Sequence, residues 1–145
     1  MIPNHVRQKL RAGTPSVGSW LNLGSPISAE AKAAIGYEIE HVDAVRKIDD
    51  LLSVPGLDAC YTGPNDLCAS FGLAPSTEPA DVEFEAMMQA LLASARRHGV
   101  IPGIHCATPA YANRRIAERW RLVGITNDLR FVTAGAQASR GAIKV

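Results

Sequence analysis

The chain has 145 residues, of which 47% are hydrophobic and 20% are charged, and its formal net charge is +1. These values are typical of one soluble domain that is large enough to bury a core. The near-neutral charge gives no electrostatic reason to expect nucleic acid or an anionic membrane as a partner. No apolar run approaches the roughly 20 residues of a membrane span, and the charged N-terminus does not resemble a secretory signal. We therefore expect a cytoplasmic protein.

The cysteines predict neither disulfides nor a structural zinc site. Cys60, Cys68 and Cys106 are an odd number, and none of them stands in a CxxC spacing. Cys60 falls inside a predicted strand and Cys106 directly follows one, so we expect both thiols to lie in the core.

The densest group of basic residues lies around one predicted helix in the C-terminal part of the chain. Charges in such a position usually form a solvated helix face, and we favour that interpretation over a phosphate-binding patch. The group consists of Arg114, Arg115, Arg119 and Arg121.

Strand-like apolar runs alternate with helical patterns along the first half of the chain, which favours parallel α/β units. Ser25 is a suitable N-cap and Pro26 suits a first helical turn, while Gly36 ends the same helix. Apolar residues at helical spacing predict a second helix before Pro55-Gly56. The predicted elements are strands over residues 16–23, 37–40 and 57–62, and helices over residues 25–35 and 43–52.

The second half continues the alternation and begins with the longest predicted helix, over residues 80–98. An apolar stripe gives this helix a face for the sheet, and Gly99 ends it. Thr108-Pro109 opens a capped helix that runs to about residue 120, and a last helix begins near Asn127. Strands over residues 100–105 and 122–126 bring the total to five, and nothing divides the chain into more than one domain.

Two acidic residues stand at the ends of neighbouring predicted strands. Glu40 ends the second strand and Asp66 follows the third. Functional groups of parallel α/β folds collect at the carboxyl ends of strands, so this pair could hold Mg²⁺ or Mn²⁺ together with water and substrate oxygens. Alternatively, Asp66 could cap a short turn over residues 67–71, and Glu40 could be a solvated charge or a partner of Lys47.

Backbone amides and histidines near the same strand ends offer further chemistry. The turn Gly63-Pro64-Asn65-Asp66 enters a helix, and such a turn leaves N–H groups that bind carboxylates or phosphates. His41 and His105 could each be a general base, a ligand or a hydrogen-bonded structural residue. The sequence contains no phosphate loop, no GxGxxG and no Ser-His-Asp order.

Together these segments resemble the HpcH/HpaI aldolase family, which includes 4-hydroxy-2-oxoheptanedioate and 2-keto-3-deoxy-sugar-acid aldolases. The opening RQKLRAGTPSVGSWLNLGSPISAEAKAAIGY is similar to the family's N-terminal strand and helix. IEHVDAVRKIDDLLSVPGLDACYTGPNDLCASFGL is similar to its metal-binding half, and VPGLDACYTGPNDL is the most specific part. RRHGVIPGIHC and RLVGITNDLRFVTAGA resemble its last two strand-helix units. The resemblance covers nearly every residue.

The resemblance implies a fold and a reaction. The fold is α/β and derived from a TIM barrel, here incomplete, with about five βα units, parallel strands and surrounding helices. The reaction is class II cleavage of a 4-hydroxy-2-oxo acid to pyruvate and an aldehyde, through an enolate stabilised by a divalent cation. Glu40 and Asp66 match the family's ligands for Mg²⁺ or Mn²⁺, with Co²⁺ also possible. The backbone of Asn65 and Asp66 would receive the pyruvate carboxylate, and Trp20 would line the pocket.

The chain departs from the family between Tyr37 and Glu38. Family members continue there into an Asp-x-Glu-His motif, which supplies a histidine for proton transfer, and then into a strand with an enolate-stabilising arginine. About a hundred residues are missing relative to a barrel of about 250, so we expect one internally shortened domain over residues 1–145. Glu40-His41 could be the remnant of that motif, which would make His41 the catalytic base. The match continues unbroken over residues 39–73, so we favour Glu40 as a metal ligand.

Two functions follow for a shortened member of this family. One is an active pyruvate-forming aldolase, which requires either a middle segment absent here or association of chains. The other is a catalytically inactive fragment that binds metal or a 2-oxo acid, or a subunit that assembles with another barrel chain. A flavodoxin-like binding module would also fit five strands, but no ligand motif supports it. Missing inner strands leave two sheet edges, so we expect a homo-oligomer.

Overall fold

The computed structural model describes residues 5–20 and 37–144, and these residues form a single parallel sheet covered by helices. The strands are β1 (Ser16–Trp20), β2 (Tyr37–Ile39), β3 (Ala59–Thr62), β4 (Ile101–Cys106) and β5 (Leu122–Asn127). Their order is β1-β5-β4-β3-β2, and every neighbouring pair is parallel. Within the described residues the sheet is open, with β1 and β2 at its edges.

Helices connect the strands from β2 to β5, and side chains cap several of their starts. Asp81, Thr108 and Asn127 each accept a hydrogen bond from a backbone N–H of the following turn. In the part of the chain that is described, no helix is long and apolar enough to cross a membrane. The helices are α1 (His5–Arg11), α2 (Val42–Arg46), α3 (Ile48–Leu52), α4 (Pro64–Phe71), α5 (Val82–His98), α6 (Pro109–Ala117) and α7 (Asp128–Gly141).

The core lies between one face of the sheet and the helices. Successive side chains of a strand point to opposite faces, and on the face toward the helices Cys60, Ile104 and Val123 are fully buried. Cys106 belongs to the same cluster, so the expectation that Cys60 and Cys106 are core residues is confirmed. The helices contribute Leu67, Phe84, Met88 and Leu91 to this core, and the segment between α6 and β5 contributes Trp120.

The predicted parallel α/β architecture is confirmed, and some boundaries differ from the prediction. Residues 43–52 form two short helices rather than one, because Lys47 leaves the helical region with φ −107° and ψ 22°. The bend lets Val45 and Ile48 both reach the core. α1 was not predicted, and α4 begins at Pro64 rather than near residue 67. The predicted helix over residues 25–35 and the end of the first strand lie outside the described residues.

The interpretation of the basic group as a solvated helix face is wrong for Arg115. This side chain is fully buried between α5 and α6. Its Nη1 donates to Glu85 at 2.6 Å and to Glu118 at 2.8 Å, and its Nη2 donates to Glu85 at 2.9 Å and to the Tyr111 hydroxyl at 2.7 Å. The hydrogen bond from Arg115 lowers the pKa of Glu85. The buried charge of Arg115 is stable because two carboxylates and a hydroxyl group accept its hydrogen bonds.

Arg115→Ala should lower the free energy of unfolding by about 3–5 kcal/mol, because it removes a fully buried side chain and leaves the partly buried carboxylates of Glu85 and Glu118 without their cation. Arg114 is the matched control, since it also contacts Glu85 and Glu118 but keeps 51% of its side chain exposed. Arg114→Ala should cost only about 0–1 kcal/mol. Urea denaturation measures both values. Equal losses in the two variants would contradict the role given to Arg115.

Candidate functional site

The carboxyl ends of the five parallel strands meet at one edge of the sheet. Every residue singled out for chemistry lies at or just beyond this edge. Trp20 ends β1, and its backbone pairs with Asn127 at the end of β5. The remaining candidates are Glu40 and His41 after β2, Asn65 and Asp66 after β3, and His105 near the end of β4.

Glu40 lies directly over Gly63. Ile39, the last residue of β2, is buried, and its carbonyl accepts a hydrogen bond from the N–H of Gly63 at 3.2 Å. A Cβ on Gly63 would lie 3.1 Å from Oε1 of Glu40 and 3.2 Å from its Cγ. The bare backbone of Gly63 therefore lets the Glu40 carboxylate approach the start of α4.

Asp66 lies in the first turn of that same helix, and its side chain is exposed. Pro64 occupies the first turn, and Gly63 is the N-cap without a side-chain hydrogen bond. Asp66 therefore does not precede and cap a turn over residues 67–71, because it is already inside the helix. The first N–H groups of a helix have no intrahelical acceptor. With no capping side chain from Gly63, those of Asn65 and Asp66 are suited to an anion.

A hydrogen-bond chain holds the two carboxylate-bearing segments together. The N–H of Val42, at the start of α2, donates to the Ser70 hydroxyl in α4 at 2.9 Å. The same hydroxyl donates to the carbonyl of Leu67 at 2.8 Å. Ser70 thus fixes the chain just after Glu40 against the helix that carries Asp66.

The oxygen donors of this edge fit a hard divalent cation. Glu40 and Asp66 are both exposed, so water and substrate could reach the remaining coordination positions. Within residues 5–20 and 37–144, no group of three or more His, Cys, Asp or Glu side chains could hold a metal ion. Among the described residues, the two carboxylates are thus the candidate ligands of a site here.

His41 caps α2. Its Nδ1 accepts a hydrogen bond from the N–H of Asp43 at 3.2 Å, and 64% of its side chain is exposed. In a neutral imidazole with this arrangement the proton lies on Nε2, so the ring has no second acceptor nitrogen. Its assignment as catalytic base stays a prediction, as does the pocket role of Trp20, whose side chain lies outside the described residues.

His105 and Tyr61 share the sheet face opposite the helices. The Tyr61 hydroxyl lies 3.5 Å from Nδ1 of His105. Burial lowers the pKa of His105, and the positive charge of Arg130 acts in the same direction. The Tyr61 ring crosses Gly103 and Gly124, because a Cβ on Gly103 would lie 2.8 Å from Tyr61 Cδ2 and one on Gly124 would collide with the hydroxyl. Glycines inside both strands were the sequence signal for this close approach.

Comparisons with known proteins identify the family of this chain. The HpcH/HpaI aldolase/citrate lyase family model matches residues 3–130. A hydroxypyruvate/pyruvate aldolase of Rhizorhabdus wittichii is 31% identical over 119 residues, which are 81% of this chain and 47% of that protein. A 4-hydroxy-2-oxo-heptane-1,7-dioate aldolase of Salmonella paratyphi B is 31% identical over 101 residues, which are 70% of this chain and 38% of that protein.

The same family supplies a matching fold. The crystal structure of an HpcH/HpaI aldolase/citrate lyase family protein from Burkholderia cenocepacia superposes with a TM-score of 0.67 at 24% identity. The match covers 72% of this chain and 40% of that one. The chain also spans less than half the length of the two curated relatives named above. It belongs to the HpcH/HpaI aldolase/citrate lyase family, and the parallel sheet of its described residues matches part of the fold of a protein of that family.

Proposed function

We propose that this chain carries the metal-binding part of an aldolase that cleaves a 4-hydroxy-2-oxo acid to pyruvate and an aldehyde. The observation that carries the proposal is the position of Glu40 over Gly63, at the start of the helix that holds Asp66. The names of the two relatives, an aldolase of hydroxypyruvate or pyruvate and one of 4-hydroxy-2-oxo-heptanedioate, support this class of substrate.

In this proposal, side chains at the carboxyl edge bind the metal ion and backbone N–H groups bind the substrate. Glu40 and Asp66 would hold a divalent cation (Mg²⁺, Mn²⁺ or Co²⁺), since such ions take carboxylate oxygens as ligands. When bound, the cation supplies Lewis-acid chemistry to the substrate oxygens. The N–H groups of Asn65 and Asp66 would bind the substrate carboxylate at the start of α4. Trp20 would close one side of the pocket.

Cleavage breaks the C3–C4 bond of the substrate. The 4-hydroxyl group gives its proton to a base, the aldehyde leaves, and C3 takes up a proton to complete the methyl group of pyruvate. His41 is the candidate base, and it must first release the N–H of Asp43 that now occupies its Nδ1. The last step can be followed alone, as exchange of the methyl protons of pyruvate with solvent.

The open sheet favours a second candidate, a chain that binds metal and a 2-oxo acid without turnover of its own. β1 and β2 are edges within the described residues, and exposed edges favour pairing with another chain. We therefore propose a homo-oligomer, or an assembly with another barrel chain, in which the second chain supplies what this one lacks. Metal binding is common to both candidates, whereas turnover distinguishes them.

Glu40→Gln and Asp66→Asn should each weaken Mn²⁺ binding by about tenfold or more, because each removes a charged oxygen ligand. Both should also abolish any Mn²⁺-dependent exchange of pyruvate methyl protons, followed by proton NMR in D₂O. Glu83→Gln, which alters an exposed carboxylate in the first turn of α5, is the matched control and should change neither.

The outcomes of this experiment separate the candidates. Wild-type chain that binds Mn²⁺ and exchanges the methyl protons supports the aldolase. Binding without exchange supports the second candidate. Unchanged Mn²⁺ affinity in both carboxylate variants would rule out the proposed site.

Gly63→Ala should weaken Mn²⁺ binding by roughly tenfold while both carboxylates remain, because the new Cβ would displace Glu40 from its place beside α4. The backbone of Gly63 has φ −96° and ψ 95°, which alanine also adopts, so the fold should persist. Gly135→Ala is the control, since nothing lies within 4 Å of a Cβ there. Equal Mn²⁺ affinities in the two alanine variants would show that Glu40 does not act from this position.

A further inference from the structure

A cavity at the opposite edge of the sheet is lined by three arginines. It lies where α5 and α6 end and where β4 and β5 begin, and its volume is about 470 Å³. Arg96, Arg119 and Arg121 line it together with the segment from Gly99 to Pro102. No acidic side chain of the described residues is part of the lining. The cavity is one strand length, about 20 Å, from the carboxylate edge.

Among the described residues, no carboxylate forms an ion pair with the three arginines of this cavity. In the part of the chain that the structure describes, the guanidinium groups of Arg119 and Arg121 form no hydrogen bond or ion pair. Nη2 of Arg96 donates to the carbonyl of Glu118 at 3.0 Å, which is a dipole rather than a charge. Other arginines differ, since Arg97 contacts Asp49 at 2.7 Å. Cations of one sign around a concave surface raise the local concentration of anions.

The backbone of Arg119 is in the left-handed region, which is strained for a residue with a side chain. α6 ends in a Schellman motif, in which two N–H groups bond back to carbonyls of the last turn at 3.0 Å. The left-handed residue of this motif is usually glycine, and α4 and α5 use Gly72 (φ 84°) and Gly99 (φ 67°). Arg119 has φ 83°, a conformation that a Cβ makes unfavourable. The chain thus keeps a cation beside the cavity where α4 and α5 have glycine.

Arg121 reaches the same place from the start of β5. Its backbone N–H donates to the carbonyl of Pro102 at 3.0 Å, which fixes the residue beside the start of β4. Both of its Nη atoms lie 3.9 Å from the position that a Cβ would take on Gly13. The guanidinium group therefore packs over the bare backbone of the turn between α1 and β1.

We infer that this arginine cavity binds a small ligand that carries a multiply charged oxyanion, with phosphate as the best match. A guanidinium group can pair two N–H donors with two phosphate oxygens, so the three that line this cavity would offer a dianion several charge-assisted hydrogen bonds. The cavity volume lies within the roughly 300–1,000 Å³ of small-molecule sites. This site is separate from the carboxylate edge and does not depend on the function proposed for it.

Calorimetric titration of the full chain with inorganic phosphate tests this inference, without divalent cations and at an ionic strength held constant with chloride. Wild-type chain should show saturable binding. Arg121→Gln and Arg119→Gly should each weaken it by about tenfold or more, because each removes a charge-assisted hydrogen bond. Arg140→Gln, at an exposed position near the end of α7, should leave the affinity unchanged.

The Arg119→Gly variant should also remain folded, so that a loss of phosphate binding in it cannot be attributed to unfolding. It places glycine at the left-handed position, so its melting temperature should be no lower than that of the wild type. Absence of saturable phosphate binding by the wild-type chain would overturn the inference. Wild-type affinity in both Arg119→Gly and Arg121→Gln would overturn it as well.

Discussion

The parallel register between β2 and β3 is the constraint on which the carboxylate pair depends. Ile39 pairs with Thr62, and both side chains are buried. Because side chains alternate along a strand, Glu40 must then point away from the buried face, over Gly63. A slip of one residue would bury the Glu40 carboxylate and expose Ile39, which is doubly unfavourable. The hydrophobic core therefore decides where this carboxylate lies.

The same core supports two edges of opposite charge. Glu40 and Asp66 stand where the strands end, and arginines surround the cavity where β4 and β5 begin. Arg115 donates two hydrogen bonds to Glu85 and so joins α6 to α5. This contact fixes the relative position of the two helix ends that line the cavity. The edges are about 20 Å apart, which exceeds the screening length of about 8 Å at physiological salt. A cation at one edge and an anion at the other would therefore bind nearly independently.

Much of the fold could be predicted because its signals are local. Asp81, Thr108 and Asn127 mark helix starts through their own side chains, and Gly99 marks a helix end through its backbone. The carboxyl-edge position of the candidate residues follows from parallel strands alone. The bend at Lys47 could not be predicted, because the apolar spacing of residues 42–52 suits one helix or two equally well.

The rest depended on contacts between distant parts of the chain. Arg115 looks like any solvated arginine until Glu85, which is 30 residues earlier, meets it across two helices. The approach of Glu40 to Gly63 follows from strand pairing, which no short motif encodes. The left-handed backbone of Arg119 could not be predicted from the sequence, because glycine is the residue that usually marks such a helix end.

An anomalous difference map from crystals of the chain grown with Mn²⁺ and pyruvate tests directly whether Glu40 and Asp66 share a metal ion. We expect one peak at the carboxyl edge of the sheet, within ligand distance of both carboxylates. A peak bound to only one of these carboxylates, or a Mn²⁺ ion held elsewhere on the chain, would contradict it.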